Sequence, residues 1–117
     1  MTERPPIVLV LSTFPADQDA AALARTLVDE RLAACVNVLP AMQSIYRWQG
    51  EIEEATEHQL LIKTTADRAD ELKDRLLELH PYDVPEIVVV PVIDGGEAYL
   101  KWVALSGATY TPAGPRN

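Results

Sequence analysis

The chain has 117 residues, about one domain, and carries 10 Lys plus Arg against 18 Asp plus Glu, a net charge of −8. This balance excludes a nucleic-acid binder and a protein docked on an anionic membrane, both of which draw their affinity from Lys and Arg. The 48% hydrophobic and 24% charged fractions exclude a disordered chain.

In chain order, residues 7–14 are a continuous apolar, β-branched run that predicts a strand buried on both faces. Pro15 closes it, and Asp17 is placed to cap a helix running to about residue 34, with Ala20, Leu23, Ala24, Leu27, Val28 and Leu32 as its apolar stripe. Residues 35–48 read as the next strand, with Val36, Val38, Met42, Tyr46 and Trp48 on one face and Pro40 forcing an edge or a bulge in its middle. Gln49-Gly50 forms a tight turn, and residues 51–65 return as the second arm, acidic at the tip and apolar at the base. Thr65 is placed to cap a helix over 66–79 with Ala69, Leu72, Leu76 and Leu79 buried, and His80-Pro81 ends it. Residues 86–93 predict a last strand with Pro91 at an edge, and 98–105 a short helix carrying Trp102. The whole reads as one domain over 1–117, with its core over about 7–105 and a loose tail over 106–117. The order β-α-β-β-α-β with a C-terminal helix is a ferredoxin-like α+β arrangement with a long β2-β3 hairpin.

That hairpin is too long for its domain. Fourteen residues per arm at ~3.3 Å each reach about 46 Å, whereas a globule of this size is about 35 Å across. Either the arms bend at Pro40 or they pair with another copy of the chain, which would also explain the large residues Ile45, Tyr46 and Trp48 near the tip.

Several functions hosted by this scaffold fail on the residues. RNA recognition needs aromatic platforms on the central strands, and those strands offer only Phe14 at one end. A Cu(I) chaperone needs two thiolates after the first strand, and residues 12–17 contain no sulfur. No Gly-rich phosphate loop is present, and no nucleophile–base pair marks an enzyme. Cys35 is the only cysteine, so no intrachain disulfide can form, and the apolar run after residue 6 has neither the length of a span nor a cleavage pattern. A cytoplasmic protein is expected. The remaining candidates are His58, read as an exposed cross-strand partner, His80, a helix-end cation or a metal ligand, and Glu51, Glu53 and Glu57, which share one face of the second arm.

Residues 31–40, 44–54, 60–65, 79–92 and 99–102, above all Tyr46-Arg47-Trp48-Gln49-Gly50-Glu51-Ile52-Glu53-Glu54 and His80-Pro81-Tyr82-Asp83-Val84-Pro85-Glu86-Ile87, closely resemble the CutA divalent-cation tolerance proteins. The resemblance implies a ferredoxin-like homotrimer whose long hairpins pair between subunits, and a non-enzymatic role in tolerance of copper and other divalent cations. Copper-binding members place one cysteine and two adjacent histidines at the positions of Ser12, Leu79 and His80, of which His80 alone keeps a ligating side chain. A weak copper contact and no required cofactor are the expectation. The shared residues also imply a cleft between subunits built from Trp48, Glu57, Lys63, Tyr82, Glu86 and Trp102, serving either a small anionic or zwitterionic ligand or only the packing of the trimer.

Overall fold

The computed structural model describes residues 4–107. Its elements are β1 (Ile7–Pro15), α1 (Ala20–Asp29), β2 (Cys35–Val38), β3 (Met42–Trp48), β4 (Glu51–Thr65), a 3₁₀ turn (Ala66–Arg68), α2 (Ala69–Leu79), β5 (Val88–Pro91) and α3 (Glu97–Ser106). The strands form one antiparallel sheet in the order β2-β4-β1-β5, and β3 pairs with the outer half of β4. This is the ferredoxin-like α+β fold that the order of elements predicts. Beyond Gly107, the expected loose tail lies outside the described residues.

The alternation of β1 sets up two layers. Val8, Val10 and Phe14 point to one face, where they meet Leu60 and Ile62 of β4, Leu23 and Leu27 of α1, and Leu72 and Leu76 of α2 in the main core. The opposite face is covered at its two ends, where Ile7 packs with Leu100 and Val103 of α3 and where Thr13 and Glu57 are buried. Leu9, Leu11 and Leu61 on that face stay half-buried, so β1 is not buried on both faces within a single chain.

The first two helices are shorter than their periodicity predicts. Asp19, not Asp17, caps α1, its Oδ1 accepting from the Ala22 amide at 3.0 Å. The Ala16 amide still pairs with the Thr56 carbonyl, which holds residues near Asp17 in the sheet's extension. At the other end Arg31 takes φ 60°, and amides of Arg31 and Leu32 bond back to Val28 and Leu27. This Schellman ending stops the helix, and Leu32 and Ala33 fill the core from the turn beyond it. In front of α2, Thr65 makes no capping bond to the backbone; its hydroxyl bonds Asp67, and the first turn is 3₁₀. The last strand spans Val88–Pro91, shorter than 86–93, because only Val8–Leu11 of β1 face it.

The predicted strand over 35–48 is two strands. Between the Val38–Leu60 and Met42–Glu57 pairs, four steps along one arm match three along the other. One extra residue is a β-bulge, located at Pro40 because proline cannot donate to the ladder. A one-residue slip exchanges the faces. Val36 and Val38 therefore share the helix side with Ile62 and Leu60, while Met42, Tyr46 and Trp48 lie on the other side with Glu57, Glu53 and Glu51. The single apolar face predicted for the arm does not form.

Beyond the bulge the β3–β4 ribbon leaves the domain. The molecule measures 54 × 25 × 24 Å, with a radius of gyration of 15.4 Å against about 13 Å for a compact chain of this length. At its tip Gln49 and Gly50 take φ 51° and 84°, the pair of left-handed residues that a type I′ turn requires.

Candidate functional site

The base of the ribbon brings β1, β4 and the segment after α2 together. His80 follows the last turn of α2 in an extended conformation, as the residue before Pro81 should. Its ring does not serve the helix end as a cation. Nε2 donates to the Thr13 carbonyl of β1 at 2.6 Å, and Nδ1 accepts from the Tyr82 amide at 3.1 Å. These partners assign the proton to Nε2 and occupy the lone pair of Nδ1. Phe14 meets the ring edge-on at 5.3 Å, Tyr82 stacks at a tilt at 4.9 Å, and the side chain is 8% exposed. A metal ion at His80 must displace one of its two hydrogen bonds.

Tyr82 is the hinge of the site. Its hydroxyl donates to Glu57 Oε2 at 2.9 Å. Glu57 is only 6% exposed, whereas Glu51, Glu53 and Glu54 on the same arm face solvent. The acidic arm thus splits into a solvated tip and one buried carboxylate held by a phenol. Partial burial first, and then the bond to Glu57 and the negative charge beside it, push the Tyr82 phenol up to about 12. A raised tyrosine keeps its proton more tightly in the fold than unfolded, so its contribution is complete below pH 10 and is lost as pH rises toward 12. In an absorbance titration of phenolate we expect a late step near 12. Tyr82→Phe removes it and Glu57→Gln moves it toward the ordinary range; a wild-type titration with all steps near 10 contradicts this assignment.

Above this pair, Tyr46 and Trp48 of β3 and Tyr82, Asp83 and Val84 of the loop line a cavity of about 260 Å³. Of the predicted cleft residues, Tyr82 joins two others within one chain: it lines the cavity with Trp48, and its hydroxyl bonds Glu57 farther down the ribbon. The other three lie elsewhere. Lys63 bonds Asn37 Oδ1, six residues along β4 from Glu57 and so about 20 Å away. Glu86 is exposed ahead of β5, and Trp102 packs on α3 with its ring 5.7 Å from that of Tyr99. Sequence reading missed Asp83 and the lining role of Tyr46, although the i, i+2 spacing of Tyr46 and Trp48 was visible.

The other candidates have structural partners. His58 is half-buried rather than exposed, its Nδ1 donating to the Leu39 carbonyl at 2.8 Å beside the bulge. Cys35 is a half-buried free thiol. Among the described residues no three His, Cys, Asp or Glu side chains converge as a metal cluster, and no helix is long and apolar enough to cross a membrane.

A split β-α-β sheet with a projecting ribbon whose aromatic, acid-flanked outer half faces the loop after α2 is the architecture of a ferredoxin-like protein whose distinctive residues sit on its hairpin and that loop. Residues 8–106 match the family model described as CutA1 divalent ion tolerance protein. The chain is 52% identical over 95 residues, 81% of its length and 92% of the other, to the divalent-cation tolerance protein CutA of Thermus thermophilus. It is 37% identical over 84% of its length and 54% of the other to the chloroplastic protein CutA of Arabidopsis thaliana. The crystal structure of CutA1 from Oryza sativa superposes with a TM-score of 0.86 at 34% identity, covering 92% of this chain and 98% of that one. The chain belongs to the CutA1 divalent ion tolerance family, which is named for tolerance rather than for a reaction.

Proposed function

We propose that this protein acts in the cytoplasm as a homotrimer in divalent-cation tolerance, without catalysing a reaction and with only weak metal contact, copper included. The observation that carries the proposal is the projecting ribbon. On one of its faces Ile45 and Ile52 are 65% and 67% exposed, and β5 offers Val88, Val89 and Val90 at an open sheet edge, 46%, 38% and 37% exposed. Apolar residues on an unpaired edge favour strand addition. Because the ribbon and the β5 edge are different surfaces, a ribbon-to-edge contact is head-to-tail, the kind that forms a ring when its rotation closes. The family resemblance gives that ring three members. The half-buried second face of the sheet, with Leu9, Leu11 and Leu61, gains its missing cover in such an assembly.

Weak metal contact follows from His80, which binds an ion only by giving up the Thr13 or the Tyr82 hydrogen bond. Copper titration of wild type and His80→Ala is the test. Weaker binding by the variant is expected, and equal binding removes His80 from the metal contact.

A second reading rests on the cavity between the outer half of β3 and the loop after α2: a small-molecule sensor whose ligand sits against Tyr46, Trp48 and Tyr82. A thermal-shift screen separates the two readings. If copper raises the melting temperature and no small organic ligand does, the sensor reading fails.

A further inference from the structure

We propose that the cavity between the outer half of β3 and the loop after α2 takes a small organic ammonium ion, a methylated or protonated amine, in preference to an anion or a hard metal ion. This deepens the sensor reading given above and rests on it. Three of the five lining residues are the aromatic rings of Tyr46, Trp48 and Tyr82. Aromatic faces attract cations through their quadrupole, best where the cation is weakly hydrated, as quaternary ammonium ions are. The Tyr82 hydroxyl donates to the buried Glu57 carboxylate at 2.9 Å, which anchors the ring and enriches its face in electron density.

The charges agree in sign. Asp83 is the one ionised lining residue. Glu51 and Glu53 stand directly across from Trp48 and Tyr46 on the same face of the ribbon, and all three carboxylates are exposed to solvent on that side. No basic residue lines the cavity. Arg47 lies on the opposite ribbon face, bonded to the Gly50 carbonyl, and Lys63 is engaged by Asn37 far along β4. An anion would meet only like charge here. A hard metal ion would find one lining carboxylate among rings, and among the described residues no three acidic, His or Cys side chains converge to replace its water. The volume, about 260 Å³, lies just below the ~300–1,000 Å³ of drug-sized sites, which suits an amine of a few carbons and excludes a nucleotide.

The probe is tetramethylammonium, followed by its methyl proton resonance as the assembled protein is added. An ion seated over aromatic faces moves upfield by ring currents, a readout that structural damage elsewhere does not mimic. A saturable upfield shift is expected with wild type, whereas tert-butanol, of similar shape but neutral, shows none. Trp48→Leu weakens tetramethylammonium binding about tenfold. Asp83→Asn, which keeps the shape of the rim, weakens it less and flattens its dependence on salt. Absence of a shift, an equal shift with tert-butanol, or displacement by acetate overturns the proposal. Light scattering on the same samples reads the assembly separately, so a trimer without ammonium binding and a failed trimer are different results.

Discussion

Ile45→Lys combined with Ile52→Glu is expected to reduce the assembly to single chains. Each substitution places a charge opposite its complement, since Ile45 faces Glu54 and Ile52 faces Arg47 across the ribbon. Cross-strand pairs of opposite sign support a ribbon rather than weaken it. Both positions are about two-thirds exposed in one chain, so the fold itself loses little packing. Buried at a subunit contact, however, the same two charges cost several kcal/mol per copy. Sedimentation velocity should show the slow boundary of one chain while circular dichroism keeps the helix and strand signal. A double variant that sediments as wild type would mean that this face of the ribbon touches no neighbour.

The second large effect lies in the core. Leu76 is fully buried between α2 and the sheet, whereas its neighbour Leu77 is 54% exposed on the outer side of the same helix. Leu76→Ala is expected to cost about 2–5 kcal/mol, from lost transfer energy plus the cavity that remains. Leu77→Ala should stay within about 0.5 kcal/mol. Denaturant midpoints of both variants at one protein concentration check the contrast, because subunit association makes the midpoint depend on concentration. Similar losses at the two positions would mean that the outer face of α2 is also covered.

Most of the fold was legible because its signals are local. The unbroken apolar run of β1, the three-four spacing of Ala69, Leu72 and Leu76, and the Gln49-Gly50 turn each depend on neighbours in sequence, and each landed where expected. The ends of α1 were less legible. Asp17 and Asp19 are both good caps, and only the pairing of Ala16 with Thr56 decides between them. Leu32 continues the apolar spacing, yet the left-handed Arg31 ends the helix before it, a backbone choice that apolar periodicity does not encode.

The site was half legible. Trp48, Glu57 and Tyr82 stood out by residue type and motif, and Tyr82 meets each of the other two. The side of the sheet that they occupy did not follow from alternation, because the bulge at Pro40 exchanges the faces of the two halves of the arm. That one inserted residue carries Tyr46 and Trp48 away from the helix side and onto the Glu57 side. Without it the aromatics and the Tyr82 loop would lie on opposite faces. The roles of the acids were equally hidden. Glu57 differs from Glu51 and Glu53 only in lying where the ribbon joins the domain, so it is buried and bonded while they are solvated.

Lys63, Glu86 and Trp102 do not reach the Glu57–Tyr82 pair within one chain. If all six predicted residues line one cleft, another copy must complete it, and the trimer is the claim on which both the cleft and the covered ribbon depend. Light scattering during size-exclusion chromatography of the unmodified chain tests it most directly. A mass near three times the 12.9 kDa of one chain is expected. A mass of 12.9 kDa across the peak, with the ribbon's Ile45 and Ile52 left in water, would contradict it.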